Sequence, residues 1–220
     1  MNEKQILNEL EKDLASLGDK PRTPDVRRVG AAWFKRVKDR KLKDVLALCE
    51  GLLDKKRWAL TIIAYDWAYR LKRYYTEDTF DTFARWVTTY VEDWWDCDDF
   101  CTHALGEVLH RYPTRFQDVI RWCEHERFAV RRSAAVALIP AIKAGFEAPI
   151  DPFLIADRLM HDAHYLVLKG YGWMLKVLST KDPTSVINYL EKHKDTMPRV
   201  AYRYALEKFD STTRNALMQS

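Results

Sequence analysis

Trp94-Trp95-Asp96-Cys97-Asp98-Asp99-Phe100 stands just before the middle of a 220-residue chain, between two stretches that both read as amphipathic helices. Two adjacent indoles and three carboxylates within six residues are more than packing alone asks for. Asp96 is followed by Asp99 three residues later, then by the apolar run Phe100, Ala104, Leu105, Val108 and Leu109. That is a helix start: an aspartate N-cap accepts from an orphan amide, and acid in the first turn suits the helix dipole. With Asp96 at the cap, Asp99 falls at N3, about a turn inside the helix and nearly in line with Trp95. The spacing therefore predicts a break between two helices and sets a carboxylate, Asp99, beside an indole, Trp95, where both face a cleft.

On either side the helical pattern repeats. Residues 3–17 place Ile6, Leu7, Leu10, Leu14 and Leu17 at helical spacing before Gly18. Thr23-Pro24 reads as N-cap and first helical proline of a helix reaching about Arg40. Further helices are expected over 41–54, 57–74, 78–93, 96–111, 114–124, 127–144, 152–160, 164–180, 183–193 and 198–208, with a short tail to the end. Asp151-Pro152 and Asp182-Pro183 mark two of the starts. Helical pairs open near residues 41, 78, 113, 151 and 183, a period of about 32 to 38. That is the register of HEAT-type repeats, in which each pair buries its face only against its neighbours. The chain is thus expected to be all-α: one domain over 1–220, built as a HEAT-like antiparallel helix-pair solenoid. A compact bundle is the alternative.

Seven glycines are few for this length, no strand-and-turn spacing occurs, and no apolar run is long enough to span a membrane. Met1-Asn2-Glu3-Lys4 lacks the features of a signal peptide, so a cytoplasmic protein is expected. The four cysteines, Cys49, Cys97, Cys101 and Cys123, lack paired short spacing. Cys97 and Cys101, with His103 nearby, fall short of a recognisable zinc pattern, so no metal is expected.

The net charge is only +4, which makes the position of the charges more informative than their sum. Basic residues recur in the second helix of each pair: Lys35, Arg36 and Lys38; Arg70, Lys72 and Arg73; Arg111, Arg131 and Arg132; Lys169 and Lys176; Arg199 and Arg203. The first helices carry more of the acid. A concave basic face suited to a phosphate backbone follows from that distribution.

Three motifs resemble the DNA alkylation repair family of HEAT-like DNA glycosylases. Trp95-Asp96-Cys97-Asp98-Asp99-Phe100, followed by Leu105-Gly106, looks like the family's Trp-x-x-x-Asp motif with its Leu-Gly. Phe128-Ala129-Val130-Arg131-Arg132-Ser133-Ala134-Ala135 is similar to its Arg-Arg-x-Ala segment, and Lys169-Gly170-Tyr171-Gly172-Trp173-Met174-Leu175-Lys176 to its Lys-x-x-x-Trp-x-Leu-Arg segment. The resemblance implies a glycosylase, without metal or redox cofactor, that excises cationic N3- and N7-alkylated purines from duplex DNA. It would work as a monomer, largely through the DNA backbone. Asp99 would be the catalytic carboxylate, Trp95 and Trp173 its aromatic walls, and Arg132 a backbone contact. Arg131, Lys169, Lys176 and Arg203 would belong to the DNA grip. A fixed anion suits this chemistry because positive charge builds on the deoxyribose as the base leaves, and indole faces attract the same charge.

The chain departs from the family at Lys176, where arginine is usual, and at Gly170 and Gly172, which loosen a helix. Residues 1–40 are shorter than in the founding members, leaving Trp33 or Tyr69 as candidate aromatic DNA contacts. A non-catalytic HEAT-repeat protein that recognises DNA structure, or a protein-binding scaffold, is the alternative. Trp58, Trp67, Trp86, Trp94 and Trp122 read as core or ridge residues, Asp98 as solvated, and His103 and His110 as packing or surface.

Overall fold

The computed structural model describes residues 3–37 and 40–219, so Lys38 of the basic series lies outside the described residues. The described chain is helical throughout and divides into two compact units, residues 1–79 and 80–220. None of its helices is long and apolar enough to cross a membrane.

The first unit holds α1 (Glu3–Ala15), α2 (Thr23–Phe34), α3 (Leu42–Leu53) and α4 (Trp58–Arg70). Leu10, Val26, Val45, Leu60, Ile63 and Trp67 are sealed between them. The Trp67 indole N–H donates to the Gly30 carbonyl at 2.9 Å, and the Trp33 indole N–H to Asp13 Oδ2 at 2.7 Å. Trp33, 2% exposed, is therefore a core residue rather than an aromatic DNA contact. The α2 helix stops at Phe34 instead of reaching Arg40. The Arg40 guanidinium turns back onto the Lys35 and Val37 carbonyls at 2.9 and 3.2 Å, satisfying acceptors that continued helix would have used.

The second unit starts within α5 (Glu77–Tyr90) and continues through α6 (Trp94–Phe100), a π-helical turn (Cys101–Leu105), α7 (Gly106–Arg111), α8 (Phe116–Trp122), α9 (Phe128–Val136) and α10 (Ile139–Ala144). It closes with α11 (Pro152–Leu159), α12 (Tyr165–Leu178), α13 (Pro183–Lys192), α14 (Arg199–Leu206) and α15 (Ser211–Gln219). Phe83, Trp86 and Phe100 meet ring to ring at 5.2–5.7 Å in its core. Asp151 and Asp182 cap α11 and α13, as their Asp-Pro pairs foretell.

Three differences from the expected elements have local causes. The helix expected over 127–144 is two, because Pro140 has no N–H and its ring clashes with the carbonyl four residues back. The π turn arises where the Gly106 N–H reaches the Cys101 carbonyl five residues back. A Cβ on Gly106 would lie 2.4 Å from Pro140 Cγ, so only glycine admits that proline. The expected tail is a helix because Asp210 accepts from the Thr212 and Thr213 amides at 2.8 and 2.9 Å and starts α15.

α12 packs on α9, α10, α11 and α14, and α6 packs on α9. Close approach along α12 is made by its two glycines. A Cβ on Gly172 would stand 2.8 Å from the Ala201 carbonyl oxygen, and one on Gly170 would stand 3.1 Å from Arg132 Cγ. Both glycines serve protein packing.

Candidate functional site

The helix of the central stretch starts three residues earlier than expected. Asp93, not Asp96, is the N-cap of α6. Its side chain accepts from the Trp94 amide at 2.7 Å, while Asp96 at N3 reaches back to the Asp93 amide at 2.9 Å, completing a capping box. Asp96 also accepts from the Glu92 and Cys97 amides, both at 2.8 Å, and is only 3% exposed. Burial pushes its carboxyl up to about 6 against the pull of those three amides. Asp96 is thus a structural anchor. Asp96→Ala strands two backbone donors at a helix start, the Glu92 and Asp93 amides, since the Cys97 amide keeps the Asp93 carbonyl at 3.2 Å. At about 1–3 kcal/mol for an unmet buried donor the loss should reach roughly 2 kcal/mol or more. Urea unfolding checks this; a loss below about 1 kcal/mol would mean that water replaces the carboxylate.

With the helix starting at Trp94, positions 94 and 98 share one face and positions 95 and 99 the next, and it is the first pair that the cleft takes. Trp94, Asp98, Arg132, Tyr165, Leu166, Lys169, Trp173, Lys176 and Tyr204 line a cleft of about 480 Å³ within the second unit. The structure therefore brings Trp173, Arg132, Lys169 and Lys176 together as expected, but with Trp94 and Asp98 in place of Trp95 and Asp99. Asp99 instead packs beside His103, with Oδ1 3.5 Å from Nδ1. Trp94, read from the sequence as core or ridge, is 50% exposed at the cleft rim. Asp98, read as solvated, is held in an ion pair. Tyr165, Leu166 and Tyr204 were not singled out by the sequence.

Asp98 is fixed by a fork. Arg132 Nε and NH2 donate to its two carboxylate oxygens, each at 2.9 Å, and Arg132 NH1 donates to the Leu166 carbonyl. This one side chain joins α6, α9 and α12, passing the gap left by Gly170. Burial raises the Asp98 carboxyl above its ordinary value and the guanidinium pulls it back. Each carboxylate oxygen keeps a second lone-pair direction beyond the guanidinium.

The expected grip residues divide. Arg132, expected as a backbone contact, is 5% exposed and bonded to Asp98 and the Leu166 carbonyl. Arg131 is likewise internal, with Nε 2.5 Å from Asp162 Oδ2 and further bonds to the His125 and Glu126 carbonyls. Lys176 reaches Glu207. Lys169 Nζ sits 4.5 Å from the Tyr165 ring centre and 5.6 Å from that of Tyr204. Arg203 is exposed on α14, outside the lining of the cleft. Cys97 and Cys101 are buried behind the cleft with sulfurs 4.0 Å apart, and Cys97 Sγ lies 3.3 Å from Ser133 Oγ. No group of three His, Cys, Asp or Glu side chains suited to a metal occurs among the described residues.

Comparison with known proteins follows the same lines. Residues 20–209 match the family model for the DNA alkylation repair enzyme. A solved structure described as "Predicted DNA alkylation repair enzyme from Enterococcus faecalis" shares the fold, with a TM-score of 0.69 at 16% identity over 86% of this chain and 87% of that one. No curated protein matches the chain.

Proposed function

The chain belongs to the DNA alkylation repair enzyme family, whose model spans residues 20–209, and on that premise we propose that it is a DNA glycosylase for cationic N3- and N7-alkylated purines in duplex DNA. The observation that carries this reading is the Asp98 carboxylate, forked by Arg132 into a cleft bounded by Trp94 and Trp173. Alkylation at N3 or N7 makes the base a cation and weakens its glycosidic bond. As the bond breaks the base leaves neutral and positive charge passes to the deoxyribose. Asp98 supplies the one carboxylate of the cleft lining, and it can face that charge or orient the attacking water. The two indoles add their negative faces.

Arg132 is a positioning residue in this scheme, since it acts through Asp98. Lys169 offers a cation to the flanking phosphates, and exposed Arg203 extends the same grip, whereas Lys176 is held by Glu207. The protein works as a monomer, and nothing in the proposed steps draws on a cofactor.

The test is release of 7-methylguanine and 3-methyladenine from methylated duplex DNA. Release by the wild-type protein, leaving abasic sites, is the expected result. No release, together with DNA binding that weakens steeply with salt, would instead establish a non-catalytic DNA-binding member of the family.

A further inference from the structure

Tyr74, Trp94 and Tyr165 are the large apolar or aromatic side chains most exposed among the described residues, and two of them stand on the rim of one cleft. Trp94 is 50% and Tyr165 55% exposed. Each is the first residue of its helix, α6 or α12. Neither position is loose. The Trp94 amide is held by the Asp93 cap, and the first turn of α12 is tied down at three points. His164 accepts the Leu166 amide through Nδ1 at 3.3 Å, the His164 ring stacks on Phe128 at 3.8 Å, and Arg132 holds the Leu166 carbonyl. Two aromatic rings are therefore carried on anchored helix starts while about half their surface stays in water.

The Tyr165 ring carries a second feature. Lys169, one turn on, sets its ammonium 4.5 Å from the ring centre, so a cation lies against this aromatic. Of the other cations in the lining, Arg132 is paired with Asp98 and Lys176 with Glu207, so Lys169 is the one that rests on aromatic faces. Aromatic faces beside such a cation suit an unstacked nucleobase whose phosphate lies alongside. A base inside a paired duplex has both faces covered and must be unstacked first, whereas a bulged base already offers them. A cleft of about 480 Å³ lies within the range of small-molecule sites and has room for a base with its sugar.

We propose that Tyr165, backed by Lys169 and facing the same cleft as Trp94, is a stacking platform for an unpaired DNA base. The protein then prefers DNA with a base out of the helix over fully paired duplex. This rests on the reading that the cleft meets DNA, but not on base release.

The test uses unmodified DNA. Fluorescence anisotropy at one fixed salt concentration compares three labelled duplexes: fully paired, with one bulged adenine, and with the same bulge carrying an abasic spacer. The wild-type protein is expected to bind the bulged adenine about tenfold or more tightly than either of the others. Tyr165→Ala should lower affinity for the bulged adenine to that for the abasic bulge, and Tyr165→Phe, which keeps the ring, should retain the preference. Equal binding of all three duplexes by the wild type overturns the proposal. So does a preference shared by the abasic bulge, since the bend and not the base would then be read. A preference that survives Tyr165→Ala overturns it too. No salt-dependent binding to any duplex removes this proposal and the DNA reading together, whereas a bulged-adenine preference without base release removes only the glycosylase.

Discussion

Asp98→Asn is expected to cut release of methylated purines by about a hundred- to ten-thousandfold, the usual span for losing one electrostatic or acid–base group, while DNA is still bound. The substitution keeps the shape and one acceptor, but it removes the negative charge that faces the developing cation. It also turns an NH2 group toward the Arg132 guanidinium, which now donates at 2.9 Å to each oxygen. Some stability is lost for that reason, so release rates are to be read beside a thermal melt at the same temperature. Binding should hold or tighten, because a negative charge has left a surface that meets phosphates. Asp99→Asn is the matched control. Its carboxylate packs beside His103 and does not line the cleft, so release should stay within a few-fold of wild type. The opposite pattern, release lost in Asp99→Asn and kept in Asp98→Asn, would return the site to the Trp95 and Asp99 register.

That register is where the sequence is ambiguous for a physical reason. Trp94-Trp95 and Asp98-Asp99 are both doublets, so Trp-x-x-x-Asp fits twice, one residue apart. Apolar periodicity does not separate the two, since a step of one residue turns a helix by only about a quarter of a turn. The helix start was legible, because Asp93 three residues ahead of Asp96 is the spacing of a capping box. Both pairs then lie four apart on the helix, and only the contact of Asp98 with Arg132 on α9 selects one. The helices themselves were legible from Asp-Pro starts and apolar spacing. The break at Pro140 was hidden because apolar residues run straight through it.

The charges were less legible because their partners lie one repeat away. Arg115 pairs with Asp81, Arg132 with Asp98, Arg158 with Glu124, Arg131 with Asp162 and Lys176 with Glu207, across 31 to 34 residues. That separation matches the helix-pair period, so these pairs join neighbouring repeats. A recurrent basic series in such a chain is partly internal mortar, and only its unpaired members are left for a DNA backbone. Lys169, which rests on aromatic faces, and exposed Arg203 were indistinguishable from the others until the acids opposite them were known.

Arg132→Ala tests this division between internal and DNA-facing cations. It leaves the Asp98 carboxylate partly buried with no counter-charge, and breaking a buried pair from one side costs about 3–5 kcal/mol. The sign of the pH dependence follows from Asp98. Burial already holds its folded pKa above 3.8, with Arg132 as the opposing pull. Without Arg132 the folded pKa rises further, so the stability tied to the protonated form is kept below the unfolded value of ~3.9 and lost as pH rises through the folded value. The deficit of Arg132→Ala in urea unfolding should therefore be large near neutral pH and shrink toward pH ~4. Base release needs the ionised carboxylate, so its acid limb should move to higher pH in this variant. Arg132→Lys restores a charge without the fork and should recover part of both effects, which keeps the test readable even if the alanine variant folds poorly. A DNA backbone contact predicts something else: an unmoved pH profile and a binding affinity whose salt slope drops by about one. Because Arg132 spends its donors on Asp98 and on the Leu166 carbonyl, the pH profile is the quantity expected to move.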